Sequence, residues 1–98
     1  MTLIDIKDKH IEVKGHSGYA PVGYDIVCAA ISTLIEATYN YLEATGNDVE
    51  AEMDEGYLKV IFKGELNNSG RNIVESFKGM AKDLESQYID YIKVEGEN

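Results

Sequence analysis

The sequence predicts an α+β fold: two layers, a mainly antiparallel sheet with two helices, in the order β-β-α-β-β-α-β. Three observations predict it. Short stretches near the start, middle and end of the chain alternate apolar and polar residues, as half-buried strands do. Two longer stretches repeat apolar residues every three or four positions, as amphipathic helices do. Clusters of Gly, Asn, Asp and Pro separate these stretches. One apolar sheet face and two apolar helix stripes bury each other in two layers.

The chain has 98 residues and is expected to form a single domain over 1–98. At that length roughly 60–65% of the surface exposed in the unfolded chain is buried, which makes one modest core. A functional cleft then belongs at an edge or between subunits.

Residues 3–6 and 11–14 alternate apolar and polar, with "KDK" between them as a tight turn, so they read as a β-hairpin. His10 falls in that turn, and Gly15 and His16 fall at the end of the second strand. Residues 17–24 read as loop, punctuated by Gly18, Pro21 and Gly23. From Asp25 the pattern becomes helical: Val27, Ile31, Leu34, Thr38, Tyr41 and Leu42 form one stripe with Ala30 beside it. Asp25 is the candidate N-cap, since its carboxylate can accept from otherwise free backbone N–H groups. Gly46 and Asn47 end the helix.

Val49, Ala51 and Met53 then alternate with acidic residues, "DEG" turns the chain, and Leu58, Val60 and Phe62 alternate with Lys59, Ile61 and Lys63. The second helix begins near "NNSGR", capped by Asn68 or Ser69. Its stripe is Ile73, Phe77, Met80, Ala81, Leu84 and Tyr88. A last strand covers about residues 89–94.

Composition excludes several functions. Eighteen acidic residues against nine basic ones give a net charge of −9. That balance repels phosphate backbones and anionic lipid, and no run of Lys or Arg offsets it locally, so direct nucleic-acid binding is not expected. No apolar run approaches the ~20 residues needed to span a bilayer, and the charged start "MTLIDIKDKH" does not read as a signal peptide. The lone cysteine forms no internal disulfide, and no Cys/His set has zinc-ligand spacing. A cytoplasmic protein without metal or cofactor is expected. The acidic run Glu50, Glu52, Asp54 and Glu55 reads as a solvated strand face.

The chemistry concentrates between Gly15 and Ser32. Cys28 lies three residues after Asp25, in the first helical turn, where free N–H groups and the helix dipole favour thiolate over thiol. It sits about 100° round the helix from Val27, flanking the buried stripe toward Ser32 and Ile35. Spacing alone leaves the structural reading the stronger one, because free cysteine is among the most buried residue types. His16 lies twelve residues earlier, across the glycine-containing loop. An imidazole there could accept the thiol proton and later protonate a leaving amine. It could equally be a solvated loop histidine. Asp25 fits a cap better than a third catalytic group, though a carboxylate near His16 could orient its ring. Ser32, one turn after Cys28, either bonds back to a helix carbonyl or faces a cleft. "GHSGYAPVG" lacks the residues of a phosphate-binding loop, and suits a loop that donates N–H groups or moves aside for a peptide. Tyr19 could close over an apolar side chain or pack on a helix. Of "YNY", Tyr41 joins the stripe and Tyr39 projects elsewhere; exposed tyrosine suits a dimer contact.

The order "GH", "YA", "G", then "DIVCAAIS", resembles the signature of the ribosomal-processing cysteine protease family, Prp. The length and element order agree with that resemblance across the whole domain. It implies a thiol endopeptidase in which His16 and Cys28 form the catalytic dyad, with Asp25 and Ser32 as supporting residues. It implies a mobile substrate loop over residues 17–24, so that Gly15, Ser17, Gly18, Tyr19 and Gly23 border the peptide. The implied substrate is the short N-terminal extension of large-subunit ribosomal protein twenty-seven, aromatic near its cleavage point and removed for ribosome assembly. The implied partners are that peptide extension of a basic ribosomal protein and a second copy of the chain in a homodimer. Ser17 stands where alanine is common after the histidine, and Pro21–Val22 where polar residues are frequent. The rival reading is a non-catalytic ribosome-associated binding module using the same groove. A generic α+β dimerisation domain would need Cys28 and His16 buried or far apart.

Overall fold

Alternation along the first residues sets the sheet. Ile4 and Ile6 point one way and Leu3 and Asp5 the other, and the same holds for each later strand. The computed structural model describes residues 1–21 and 25–96. In it β1 (Thr2–Ile6) and β2 (His10–Lys14) form the expected hairpin, closed by the Lys7 N–H donating to the His10 carbonyl at 2.9 Å. His10 is thus the first residue of β2 rather than part of the turn. α1 covers Ile26–Ala44, β3 Val49–Asp54, β4 Tyr57–Phe62, α2 Asn68–Gln87 and β5 Ile92–Glu95. The order β-β-α-β-β-α-β is as expected.

The five strands lie in the order β3-β4-β2-β1-β5. Three neighbouring pairs are antiparallel and β1–β5 is parallel, so the sheet is mixed. Register puts the apolar rows together. Ile6 pairs with Ile11, Ile11 with Val60, Ala51 with Val60, and Ile4 with Val94. The opposite face carries Asp5, Glu12, Lys59, Glu50 and Glu52. There the Tyr57 hydroxyl donates to Glu12 Oε2 at 2.7 Å. That bond, then burial, then the charges of Glu12 and Glu52, pushes the Tyr57 phenol up to about 12.

Both helices cover the apolar face. Their buried sets are Val27, Ile31, Ile35, Thr38 and Leu42 in α1, and Gly70, Val74, Phe77 and Ala81 in α2. The phases differ from those expected. Ile35 is buried while Leu34 is half-buried, Ala30 is exposed, and Tyr41 is 45% exposed. Tyr39, expected to point elsewhere, packs against the core and donates to Glu43 Oε2. In α2, Val74 is core and Met80 is 47% exposed. Adjacent apolar residues admit two stripes about 100° apart, and the sheet selects one.

The N-cap of α2 is Asn67, whose side-chain oxygen accepts from the Gly70 N–H at 2.8 Å; Asn68 and Ser69 lie inside the helix. Buried Asn47 fixes this cap, accepting from the Asn67 N–H at 2.9 Å and donating to the Leu42 carbonyl at 3.2 Å. It ties the end of α1 to the start of α2. A Cβ on Gly70 would come 2.6 Å from Asn47 Oδ1, which explains the glycine. β5 begins later than expected, because residues 88–91 turn the chain: the Tyr91 N–H donates to the Tyr88 carbonyl.

Basic residues scattered in sequence converge in space. Lys7 and Lys9 from the hairpin turn meet Arg71 and Lys78 from α2 around a cavity of about 440 Å³, with Asp8 and Glu65 on the same wall. This grouping forms only in space, and Lys7 and Lys78 are ion-paired with Asp5 and Glu75. Among the described residues no helix is long and apolar enough to cross a membrane.

Candidate active site

The end of β2 and the start of α1 meet through one short segment. Gly15 has φ +91°, in the left-handed region that favours glycine, and its N–H donates to the Gly56 carbonyl at 2.8 Å. A Cβ there would come 2.7 Å from the Met1 carbonyl oxygen. His16 follows, exposed, its carbonyl accepting from the Met1 amino nitrogen at 2.8 Å. Its imidazole lies over Gly56, whose absent Cβ would sit 3.0 Å from His16 Nε2. Gly56, itself at φ +66°, therefore serves the β3–β4 turn and makes room for the ring. The sequence reading had only the turn.

Asp25 caps α1. Its Oδ1 accepts from the Val27 and Cys28 N–H groups, each at 2.9 Å. Its Oδ2 accepts from the Ser17 hydroxyl at 2.5 Å and the Ala20 N–H at 3.4 Å. Burial alone pushes this carboxyl up. Hydrogen bonds from the Ser17 hydroxyl, the Cys28 and Ala20 amides and the Cys28 thiol outweigh burial and lower it from 3.8 to about 2. Two first-turn amides expected to serve the sulfur or an oxyanion are thus held by a carboxylate.

A carboxyl depressed by folding adds stability that is fully present above about pH 4 and lost as the pH falls through about 2. Asp25→Ala removes the cap and leaves the buried Ser17 hydroxyl without its acceptor. The expected cost at pH 7 is roughly 2–4 kcal/mol. Thermal melts of parent and variant should converge between pH 4 and pH 2. A gap that stays constant over that range would show that the ionised carboxylate is not what stabilises the cap.

Cys28 is half-buried, and its sulfur accepts from the Ser17 N–H at 3.3 Å. Among the described residues that amide, and not the His16 ring, is the donor to Sγ. Both Cys28 and His16 line one cavity of about 630 Å³. Its walls are α1 residues Cys28, Ser32, Ile35 and Glu36 on one side, and Val13, Met53 and Leu58 from the strands on the other. Cys28 is half-buried and His16 exposed, so neither is buried as the generic dimerisation reading would have it.

The remaining expected residues sort as follows. Ser32 is exposed on the Cys28 face of α1 and lines the cavity, as do Gly15 and Gly18. Ser17 is 2% exposed, inside the hydrogen-bonded network rather than at a peptide-facing edge. Tyr19 turns away from the cavity and packs edge-on against Tyr88 and Tyr91, at ring-centre distances of 5.7 and 5.3 Å. Gly23 lies outside the described residues, with the rest of 22–24. Sequence reasoning missed Ser17 as the residue whose N–H meets the sulfur and whose hydroxyl meets the cap carboxylate, bonds that span the loop and carry no local signal.

The family model described as cysteine protease Prp matches residues 1–93. Among solved structures, the essential ribosomal processing protease Prp from S. aureus with a covalently linked product peptide has a TM-score of 0.87 at 19% identity. That match covers 96% of this chain and 97% of the other. The same protease with a substrate peptide has a TM-score of 0.73 at 16% identity, covering 96% and 95%. SMU.848 from Streptococcus mutans has a TM-score of 0.78 at 26% identity, covering 96% and 90%. No curated protein matches the chain at a significant level.

Proposed function

Because the chain belongs to the cysteine protease Prp family, we propose that it is a cytoplasmic thiol endopeptidase acting on the N-terminal extension of large-subunit ribosomal protein twenty-seven. The single observation that carries the reading is the shared cavity: one thiol and one imidazole line the same apolar-walled opening. Complexes of the S. aureus protease with product and substrate peptides support a peptide as the ligand. The net charge of −9 is complementary to a basic ribosomal protein.

In this reading His16 takes the proton of Cys28 as the sulfur attacks the carbonyl carbon after an aromatic or apolar residue. The C=O π electrons move onto oxygen, and the oxyanion meets N–H groups beside the sulfur. Of these, the Ser17 amide is not held by the Asp25 carboxylate. Collapse breaks the C–N bond, and His16 gives its proton to the departing amine. Water, deprotonated by the same imidazole, then cleaves the thioester and restores the thiol. No metal or organic cofactor enters these steps. Met53, Leu58, Val13 and Ile35 offer the apolar wall for the substrate side chain. The protein acts as a homodimer in this reading, with 45%-exposed Tyr41 an available contact.

The test is cleavage of a synthetic peptide spanning the extension junction, read by mass spectrometry. Scission after the aromatic residue supports the reading. Binding of the peptide without scission overturns it in favour of the non-catalytic ribosome-associated module.

A further inference from the structure

Ser17 carries more interactions than its place in a loop requires. Its hydroxyl donates to Asp25 Oδ2 and accepts from the Tyr19 N–H at 3.1 Å, while its own N–H donates to Cys28 Sγ at 3.3 Å. At 2% exposure it is buried, and it is bonded to both the sulfur and the helix cap. It also directly follows His16 in the chain. We propose that Ser17 is a positioning residue for the nucleophile: its hydroxyl, clamped on Asp25, aims the Ser17 N–H at the Cys28 sulfur and competes with the thiol for the carboxylate. The inference rests on the endopeptidase reading for its kinetic consequence, though not for its chemical one.

The physical argument has two parts. An N–H directed at sulfur stabilises thiolate more than thiol, because a charged acceptor makes the stronger bond. The Asp25 charge beside the same sulfur acts in the opposite direction, since like charges close together oppose ionisation. A hydroxyl donated to Oδ2 absorbs part of that charge and holds the carboxylate in its capping position. Removing the hydroxyl loosens the amide and leaves the thiol as the one side-chain donor to Asp25 among these groups, which strengthens that bond, and both changes disfavour thiolate. The titratable group beside the sulfur is Asp25, the cap of the same helix, and His16, two residues past β2, lines the same cavity. Glu36, Asp54 and Tyr57, from α1, β3 and β4, line the same cavity.

Ser17→Ala and Ser17→Thr test this in the full chain. Iodoacetamide alkylation of Cys28 is timed at pH 7 and at pH 9.5, beside kcat and KM on the junction peptide and the thermal midpoint. For Ser17→Ala the expected result is about tenfold slower alkylation at pH 7 and near-parental alkylation at pH 9.5. kcat should fall by a similar factor with KM within about twofold, and Ser17→Thr should restore both. Equal alkylation at pH 7, or equal slowing at both pH values, would overturn the proposal, because either means the hydroxyl does not govern ionisation. A lowered thermal midpoint with unchanged alkylation would assign Ser17 to stability alone. A second measurement needs no Ser17 variant: in the parent protein the Ser17 amide proton should move downfield in NMR as Cys28 ionises. An amide shift that ignores Cys28 ionisation sinks the proposal even if Ser17→Ala does not fold. A parent protein that alkylates as expected but cuts no peptide refutes the endopeptidase reading and leaves the positioning role standing.

Discussion

Cys28→Ala and His16→Ala are each expected to lower cleavage of the junction peptide by at least about a thousandfold, with the double variant no worse than the poorer single one. A nucleophile and the base that takes its proton act as a unit. Once either is gone the covalent route closes, and losing the second removes little more. Neither substitution threatens the fold: His16 is exposed on its segment and Cys28 is half-buried beside a cavity. Thermal midpoints within a few degrees of the parent are expected, so lost activity will not be lost structure. The measurement is single-turnover cleavage by chromatography. Near-parental turnover in His16→Ala would mean that another group accepts the proton, and the dyad assignment would fail.

The largest effect on stability is expected at Phe77. This side chain is 1% exposed and belongs to the core formed by α2, the sheet and α1. Phe77→Ala leaves a void among close-packed neighbours at a cost of about 3–5 kcal/mol. Against a total stability of about 5–15 kcal/mol for a small domain, that moves the urea midpoint down by about 2–3 M. Met80→Ala, one turn along the same helix, should stay within about 0.5 kcal/mol, because Met80 is 47% exposed. Urea melts of the two variants side by side decide it. Equal destabilisation would show that Met80 is covered in solution.

That contrast also marks where the sequence was legible. Element order followed from periodicity and punctuation, which are local properties. Helix phase did not, since Leu34–Ile35 in α1 and Ile73–Val74 in α2 offer neighbouring apolar positions that only the sheet distinguishes. Three consecutive capping-competent residues, Asn67, Asn68 and Ser69, likewise leave the α2 cap open until Asn47 selects Asn67. At the site, Asp25 was legible as a cap because a carboxylate before a helix has a local role. The meeting of Cys28 and His16 at one cavity was suggested by spacing and by resemblance. Ser17 was read as loop because its bonds reach across eight and eleven residues. The basic cavity was hidden for the same reason, its lysines in the hairpin turn being far in sequence from Arg71 and Lys78. Interactions of that kind belong to the closed fold and leave no periodic trace.

The parallel pairing of β1 with β5 has a consequence for synthesis. As the polypeptide leaves the ribosome, β1 finds β2 at once, but its other edge waits some eighty residues for its neighbour. Until then Ile4 and Ile6 have an incomplete roof and a row of bare amides beside them. The sheet therefore closes from the β2 side outward, and β1 gains its second neighbour only once α2 has been made and β5 follows it.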